Sequence, residues 1–153
     1  MKIAFGNDHA GFDEPTPYYK PELVTYLEDN GHEVIDCGSF KPGAVDYPDH
    51  GRAVAEKILA GEADMGVLLC GTGIGISIAA NRYAGIRAAV CTNVEMARLA
   101  REHNEANVVC IGRRVLSLDE CKAIIDAFLK GTVSEVDRHQ RRVSKLGEHG
   151  EQA

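Results

Sequence analysis

Cys70 stands directly before three glycines spaced two residues apart, in the stretch LLCGTGIGIS. A short apolar run precedes the cysteine and is typical of a buried strand, so the glycines would turn the chain into a helix. Backbone N–H groups at such a turn stabilise a thiolate and also bind a developing oxyanion. The stretch therefore predicts a catalytic cysteine, whereas the structural alternative is a tight turn beside an inert core cysteine.

The glycine spacing does not fit the two common nucleotide-binding loops. A Walker loop needs GxxxxGK followed by Ser or Thr, and no lysine follows these glycines. A dinucleotide-binding loop follows the first strand of its sheet, and the next strand ends in an acidic residue. Here the glycines follow the third apolar run, and the next run ends at Cys91 and Thr92. Neither class of nucleotide site is favoured.

Short apolar runs alternate with amphipathic segments along the chain. The apolar runs predict five buried strands, at 2–5, 33–37, 65–70, 86–91 and 107–112. The amphipathic segments predict helices at 22–30, 49–60, 74–83, 93–103 and 119–130, and a C-terminal helix at about 134–146 that Ser134 caps. This alternation predicts one domain over residues 1–153 with an α/β fold, a three-layer α/β/α Rossmann-like sandwich around a five-stranded parallel sheet.

Side chains suited to chemistry follow several of the predicted strands. Ligands of parallel α/β sheets bind beyond the carboxyl ends of the strands. The residues expected at that edge are Asp8 and His9, Tyr47 in the loop after the second strand, Cys70 and Thr72, and Arg113. Taken singly, Asp8 could only cap a turn, His9 could be a loop histidine with its hydrogen bonds satisfied, and Arg113 could be a solvated surface charge. Because separate segments deliver them to one edge, a shared site is predicted.

His103 and Asn104 are expected at the opposite edge of the sheet. They end the fourth predicted helix, which runs back from the carboxyl edge for about eleven residues, or ~16 Å. They can serve the same site only if another subunit supplies them. The structural alternative is a helix C-terminus at which a histidine meets the negative end of the dipole.

The tail RHQRRVSK concentrates positive charge near the C-terminus. Arg138 and Arg142 lie four residues apart and would share one helix face. Two such guanidinium groups suit a phosphate ester, and a solvated helix face is the commoner explanation of a basic run. The tail therefore predicts either a phosphate subsite or an exposed surface.

The chain is acidic overall, with 17 Lys and Arg against 23 Asp and Glu and a formal net charge of −6. We therefore expect no nucleic-acid partner and no membrane surface or span. The N-terminal apolar run is too short for a signal peptide and the five cysteines form no CxxC pair, which predicts a cytoplasmic protein with reduced thiols. The six histidines show no HxxxH or HxH spacing, so no metal site is expected.

Together these stretches resemble one family, the type B ribose-5-phosphate isomerases with their galactose-6-phosphate and allose-6-phosphate relatives. The resemblance extends from Met1 to about Gly147 and is most specific in the central block. The stretches that carry it are IAFGNDHAGF, HEVIDCGSF, VDYPDHG, LLCGTGIGISIAANRYAGIRAAVC, AREHNEANVVCIGRRV and DRHQRRV. The fold that the resemblance implies is a five-stranded parallel sheet between helices.

The resemblance implies a metal-free aldose–ketose isomerase that needs no cofactor and acts on a phosphorylated sugar. The RHQxR tail favours ribose 5-phosphate, and Cys70 with Ile76 places the chain in the branch that uses a cysteine base. Isomerases of four- or six-carbon sugar phosphates and a non-catalytic sugar-phosphate-binding protein stay open as alternatives. The implied working unit is a homodimer or a dimer of dimers with active sites shared between subunits.

The family pattern also implies a role for each matched residue. Cys70 would move a proton between C2 and C1 through an enediolate, with Thr72 as the hydroxyl relay. His103 and Asp8 would open the sugar ring. The residues that would bind the substrate are His9, Tyr47, Gly71, Gly73, Gly75, Asn104, Arg113, Arg138 and Arg142.

One segment departs from the family pattern. Members run from the HAGF-like turn directly into the first helix, whereas DEPTPYYKP, here called the insert (Asp13–Pro21), intervenes in this chain. Its three prolines exclude an ordinary helix interior, so an ordered loop or lid is expected. Because the insert closely follows Asp8 and His9, it is expected to reshape the sugar pocket, which leaves the length of the substrate open.

Overall fold

A computed structural model of the chain describes residues 1–147, and the last six positions of the predicted domain, 148–153, lie outside the described residues. Five parallel strands form one sheet in the order β2-β1-β3-β5-β4. The strands are β1 Lys2–Asn7, β2 Glu33–Asp36, β3 Met65–Cys70, β4 Ala88–Val90 and β5 Val108–Gly112. All of β5 and nearly all of β1 and β3 are buried, as their uninterrupted apolar composition predicts.

Helices cover both faces of this sheet. They are α1 Tyr19–Asp29, α2 Tyr47–Leu59, α3 Ile74–Ala80, α4 Val94–Asn104, α5 Leu118–Lys130 and α6 Asp137–Gly147, with a short 3₁₀ helix at His9–Phe12. Alternate residues of β3 pack into two separate hydrophobic cores, one on each face of the sheet. Val67 and Leu69 pack with α1, α4 and α5, whereas Leu68 and Cys70 pack with α2 and α3. The predicted three-layer α/β/α sandwich is confirmed.

The strand order predicts a ligand-binding crevice at the carboxyl edge between β1 and β3. These two strands are neighbours, yet α1 leaves β1 toward one face and α3 leaves β3 toward the other. Ligands of open parallel sheets bind at such a point, because the two departing helices leave room between them. The residues that directly follow β1 and β3 therefore line the crevice.

Three element boundaries differ from the sequence prediction in ways that affect the site. Tyr47 is the first residue of α2, whereas a loop was predicted. The insert is a loop only up to Tyr18, because Pro21 lies in the first turn of α1, where its missing N–H costs no hydrogen bond. The predicted cap at Ser134 is wrong: α6 begins at Asp137, since the Ser134 hydroxyl bonds the Val136 amide and the His139 ring instead.

Candidate active site

Cys70 ends β3 at the crevice, and its sulfur contacts the glycine turn. The Gly73 N–H donates a hydrogen bond to Cys70 Sγ over 3.1 Å. Gly73 precedes α3 with a φ of 81°, and a Cβ there would lie 3.1 Å from the Ile111 carbonyl carbon, so the turn requires glycine. Thr72 Oγ1 accepts from the Ile74 N–H at 3.3 Å. The turn thus places an amide donor directly on a sulfur that is the candidate base.

The other cysteines lie in environments that favour the neutral thiol. Burial raises the pKa of Cys91 to about 11 and that of Cys121 to about 12, and it raises the pKa of Cys110 as well. The thiols of Cys37 and Cys91 donate to backbone carbonyls, which stabilises their protonated form. Cys70 instead accepts from an amide, an arrangement that stabilises a thiolate.

Asp8 and His9 follow β1 on the other side of the crevice. The Asp8 amide donates to the Leu69 carbonyl at 3.2 Å, which ties the end of β1 to β3. Asp8 is only 5% exposed, and its Oδ1 accepts from the Ala10 amide at 2.8 Å, so it does cap the 3₁₀ helix. Within the described chain His9 Nδ1 is buried without a hydrogen-bond partner. The ring nitrogen of His9 is therefore an unsatisfied polar atom close to the carboxyl end of β1.

Tyr47 meets the glycine turn from the start of α2. A Cβ on Gly75 would lie 2.8 Å from Tyr47 Cζ and 3.1 Å from its hydroxyl oxygen. Only glycine at position 75 therefore allows the phenol to lie this close to the turn. Tyr47 is 41% exposed, so this contact with the glycine turn lies at the protein surface.

Arg113, which the sequence assigned to the substrate, points toward the insert. Its Nη2 donates to the carbonyl oxygens of Asp13 (3.3 Å) and Pro15 (3.0 Å), and its guanidinium lies 4.0 Å from the Tyr19 ring centroid. The next residue, Arg114, is the one that reaches the glycine turn. Its Nη1 would lie 3.2 Å from a Cβ built on Gly71, so its guanidinium packs against that residue.

A second group of polar residues lies where α4 and α6 pack together. The ring centroids of His103 and His139 are 4.2 Å apart, and His139 Nδ1 is 3.0 Å from Ser134 Oγ. Burial lowers the pKa of His139, and the nearby His103, Arg138 and Arg142 lower it further. Arg138 and Arg142 thus lie within electrostatic reach of His139.

The two groups of residues occupy opposite edges of the sheet. Cys70 is paired with Gly112 at the carboxyl end of β5. His103 and Asn104 end α4 just before Val108, the first residue of β5. The four residue steps along β5 separate these edges by about 13 Å at roughly 3.3 Å per residue. Within one chain, the cysteine and the histidine therefore face different openings.

No group of three or more His, Cys, Asp or Glu side chains that could hold a metal ion occurs between residues 1 and 147. Across the same residues, no helix combines the length and the apolar character needed to cross a bilayer.

Comparison with known proteins decides the family. The family described as Ribose/Galactose Isomerase matches residues 3–146, nearly the whole chain. The chain belongs to the ribose/galactose isomerase family. The resemblance drawn from the sequence motifs is thereby confirmed, and so is the isomerase class that it implied.

Individual relatives of this family match over almost their full length. Ribose-5-phosphate isomerase B of Escherichia coli is 48% identical over 145 residues, which cover 95% of this chain and 93% of the relative. The galactose-6-phosphate isomerase subunit LacB of Clostridium acetobutylicum is 40% identical over 97% of this chain and 83% of the relative. The solved structure of Clostridium thermocellum ribose-5-phosphate isomerase B superposes with a TM-score of 0.90 at 50% identity, covering 97% of this chain and 96% of its own.

Two residues that contact the candidate site groups were not singled out by the sequence analysis. Arg114 was passed over in favour of its neighbour Arg113, and the only sequence signal was that two arginines follow β5 together. His139 lies inside the RHQRRV stretch that supports the family resemblance, but no spacing rule links it to His103. Its contact with His103 arises only because α6 packs on α4.

Proposed function

We propose that this chain is an aldose–ketose isomerase that interconverts ribose 5-phosphate and ribulose 5-phosphate. The observation that carries the proposal is the Cys70 thiol, which ends β3 in the crevice and accepts the Gly73 amide at 3.1 Å. Membership of the ribose/galactose isomerase family supports the reaction class. Relatives at 48% and 50% identity are named ribose-5-phosphate isomerase B, which supports the five-carbon substrate.

Cys70 acts as the base in this proposal. Its thiolate removes the C2 proton of the open-chain aldose, the electron pair forms the C1–C2 double bond of an enediolate, and the same proton returns to C1 to give the ketose. The N–H groups of the turn from Gly71 to Gly75 hold the oxygen on which negative charge develops. Thr72, whose hydroxyl lies in this turn, carries the proton between O1 and O2. No metal or cofactor takes part.

His103 opens the sugar ring by protonating the ring oxygen, with Asp8 assisting from the cysteine side. Because His103 lies at the opposite edge of its own sheet, the proposal places it in the site of a second chain, in a homodimer or a dimer of dimers. Asn104 lines a groove of about 650 Å³ between the β4 edge and α6, where Val143 and Leu146 contribute apolar surface. Such a groove supports an interface with a second copy.

Arg138 and Arg142 bind the phosphate group. We expect Arg142→Ala to raise the KM for ribose 5-phosphate by about 10- to 100-fold with little change in kcat, because it removes a charge-assisted hydrogen bond to a group that does not react. Arg138→Ala should act in the same direction. Steady-state kinetics on ribose 5-phosphate and on free ribose measure both effects.

Arg141→Ala is the matched control, since this exposed arginine lies on the same helix but points about 100° away from Arg142 around the helix axis. It should leave KM within about twofold of the unmodified enzyme. A loss of efficiency on free ribose as large as that on its phosphate would show that Arg138 and Arg142 do not bind phosphate.

A turnover screen tests the proposed function itself. The purified protein is assayed on four-, five- and six-carbon aldose phosphates, each with and without EDTA. The expected result is highest kcat/KM on ribose 5-phosphate and no loss of turnover with chelator. Preference for a six-carbon substrate would favour a galactose- or allose-type enzyme, and binding without turnover would favour a sugar-phosphate-binding protein. Loss of turnover on chelation would refute the metal-free mechanism.

A reducing compartment, such as the cytoplasm, is part of the proposal. All five cysteines are free thiols, and four of them are buried. Reduced thiols are the usual state of cysteine in the cytoplasm, and the proposed base requires one of them to stay reduced.

A further inference from the structure

The insert is fastened to the rest of the chain at both ends. Arg113 holds the backbone carbonyls of Asp13 and Pro15 while its guanidinium lies over the Tyr19 ring. At the other end, the buried Lys20 forms a 2.8 Å ion pair with Asp36. A loop held in this way is a fixed wall beside the crevice, and any side chain that it directs toward the site is held in place.

Asp13 is the residue of the insert that reaches the candidate active site. Its Oδ2 accepts a 2.8 Å hydrogen bond from Arg114 Nε, and its side chain is only 26% exposed. The carboxylate binds the Nε edge of the guanidinium and leaves the terminal nitrogens for another partner. Nη1 lies beside Gly71, the residue that directly follows Cys70. Arg114 itself remains 57% exposed, so a ligand can reach it.

The electrostatic surroundings of Arg114 agree with this placement. The hydrogen bond and charge of Asp13 raise the pKa of Arg114, and Asp8 and Cys70 contribute in the same direction. Arg114 therefore lies within range of groups from both β1 and β3, the two sides of the crevice. A positive charge held there can meet an oxygen of a phosphorylated sugar whose reacting carbons lie at Cys70.

We propose that Asp13 is a positioning residue for the isomerase reaction: it fixes the Arg114 guanidinium so that its terminal N–H groups face the glycine turn and the anionic substrate. The inference rests on the proposed function. A free arginine side chain loses rotamer freedom when it is immobilised. Because Asp13 restrains Arg114 before the substrate arrives, less of that loss falls on substrate binding. The insert, on this view, supplies the site with a preoriented cation.

The first test compares three variants by steady-state kinetics on ribose 5-phosphate. Asp13→Ala should raise KM about 3- to 12-fold with kcat within about twofold, because only the ordering of one side chain is lost. Asp13→Asn keeps an oxygen that accepts from Nε, so it should recover most of this loss. Glu14→Ala is the matched control from the same loop, since among residues 1–147 the Glu14 carboxylate bonds Tyr18 and the Thr16 amide but not Arg114, and it should leave KM unchanged.

A double-mutant cycle separates positioning from a structural role. If Asp13 acts through Arg114, Asp13→Ala should add nothing to the KM of Arg114→Ala. A purely structural Asp13 would raise KM by the same factor in both backgrounds and lower Tm in both. Equal factors in the two backgrounds would overturn the inference. So would an unchanged KM in Asp13→Ala or in Arg114→Ala. Absence of turnover in the unmodified protein would refute the proposed function instead, so the two failures are distinguishable.

Discussion

Replacing Cys70 with alanine is expected to lower kcat for ribose 5-phosphate by about 10²- to 10⁴-fold, the range that a positioned general base contributes. The thiolate acts on a carbon-bound proton and contributes little to ground-state affinity, so the Kd for ribose 5-phosphate should stay within a few-fold of the unmodified value. Stopped-flow or coupled turnover measures kcat, and calorimetry of the inactive variant measures Kd.

Cys91→Ala is the matched control for this experiment. Cys91 follows β4 directly and is 1% exposed, but no glycine turn follows it and its thiol donates to the Ala89 carbonyl. Its loss should reduce stability modestly and leave kcat almost unchanged. Near-normal kcat in Cys70→Ala, or an equal loss in Cys91→Ala, would contradict the assignment of Cys70 as the base.

Mixing two inactive variants is expected to restore activity if the site is shared between chains. Cys70→Ala and His103→Ala subunits are unfolded gently and reassembled together. In a hybrid dimer one site carries both lesions, while the other combines an intact Cys70 with an intact His103 from opposite chains. Random one-to-one pairing makes half of the dimers hybrids with one working site each, so activity should return to about a quarter of the unmodified value.

The control mixture pairs Cys70→Ala with Asp8→Asn. Both residues lie at the carboxyl edge of the same chain, so every site in such a hybrid keeps one lesion and no activity should return. Persistent inactivity of the Cys70→Ala and His103→Ala mixture, with hybrids verified by mass spectrometry, would refute the shared site. Recovery of activity in the control mixture would show that Cys70 and Asp8 do not serve one site from the same chain.

Much of the fold was predictable from the sequence because its signals are local. β3 and β5 are runs of apolar residues whose length and composition specify buried strands, and the strand bounds at 65–70 agree with the prediction. The glycine turn after Cys70 was also predictable, since Gly73 with φ 81° needs the residue type found there. The position of His103 at the far edge followed from helix length alone.

The starts of α2 and α6 were predicted less well than the strands. Tyr47 was placed in a loop because nothing in its neighbourhood indicates that its ring packs on Gly75. Ser134 was read as a helix cap because its hydroxyl has the chemistry of one, yet that hydroxyl bonds His139 and the Val136 amide. Tyr47 thus has a neighbour distant in sequence, whereas the Ser134 hydroxyl bonds residues that follow it in the same segment.

The sequence by itself determined the sheet, the glycine turn with its cysteine and the family, because each depends on residue type at short spacing. Only the tertiary structure decided which of the two arginines after β5 lies against the glycine turn. Arg113 and Arg114 are chemically identical neighbours, but the backbone turns their side chains in different directions. Arg113 lies on the insert, and Arg114 lies against Gly71. Asp13, a hundred residues away in sequence, contacts both arginines: its carbonyl oxygen accepts from Arg113 and its carboxylate accepts from Arg114. The sequence of two adjacent arginines does not show where each side chain points. The folded backbone fixes one direction for each of them.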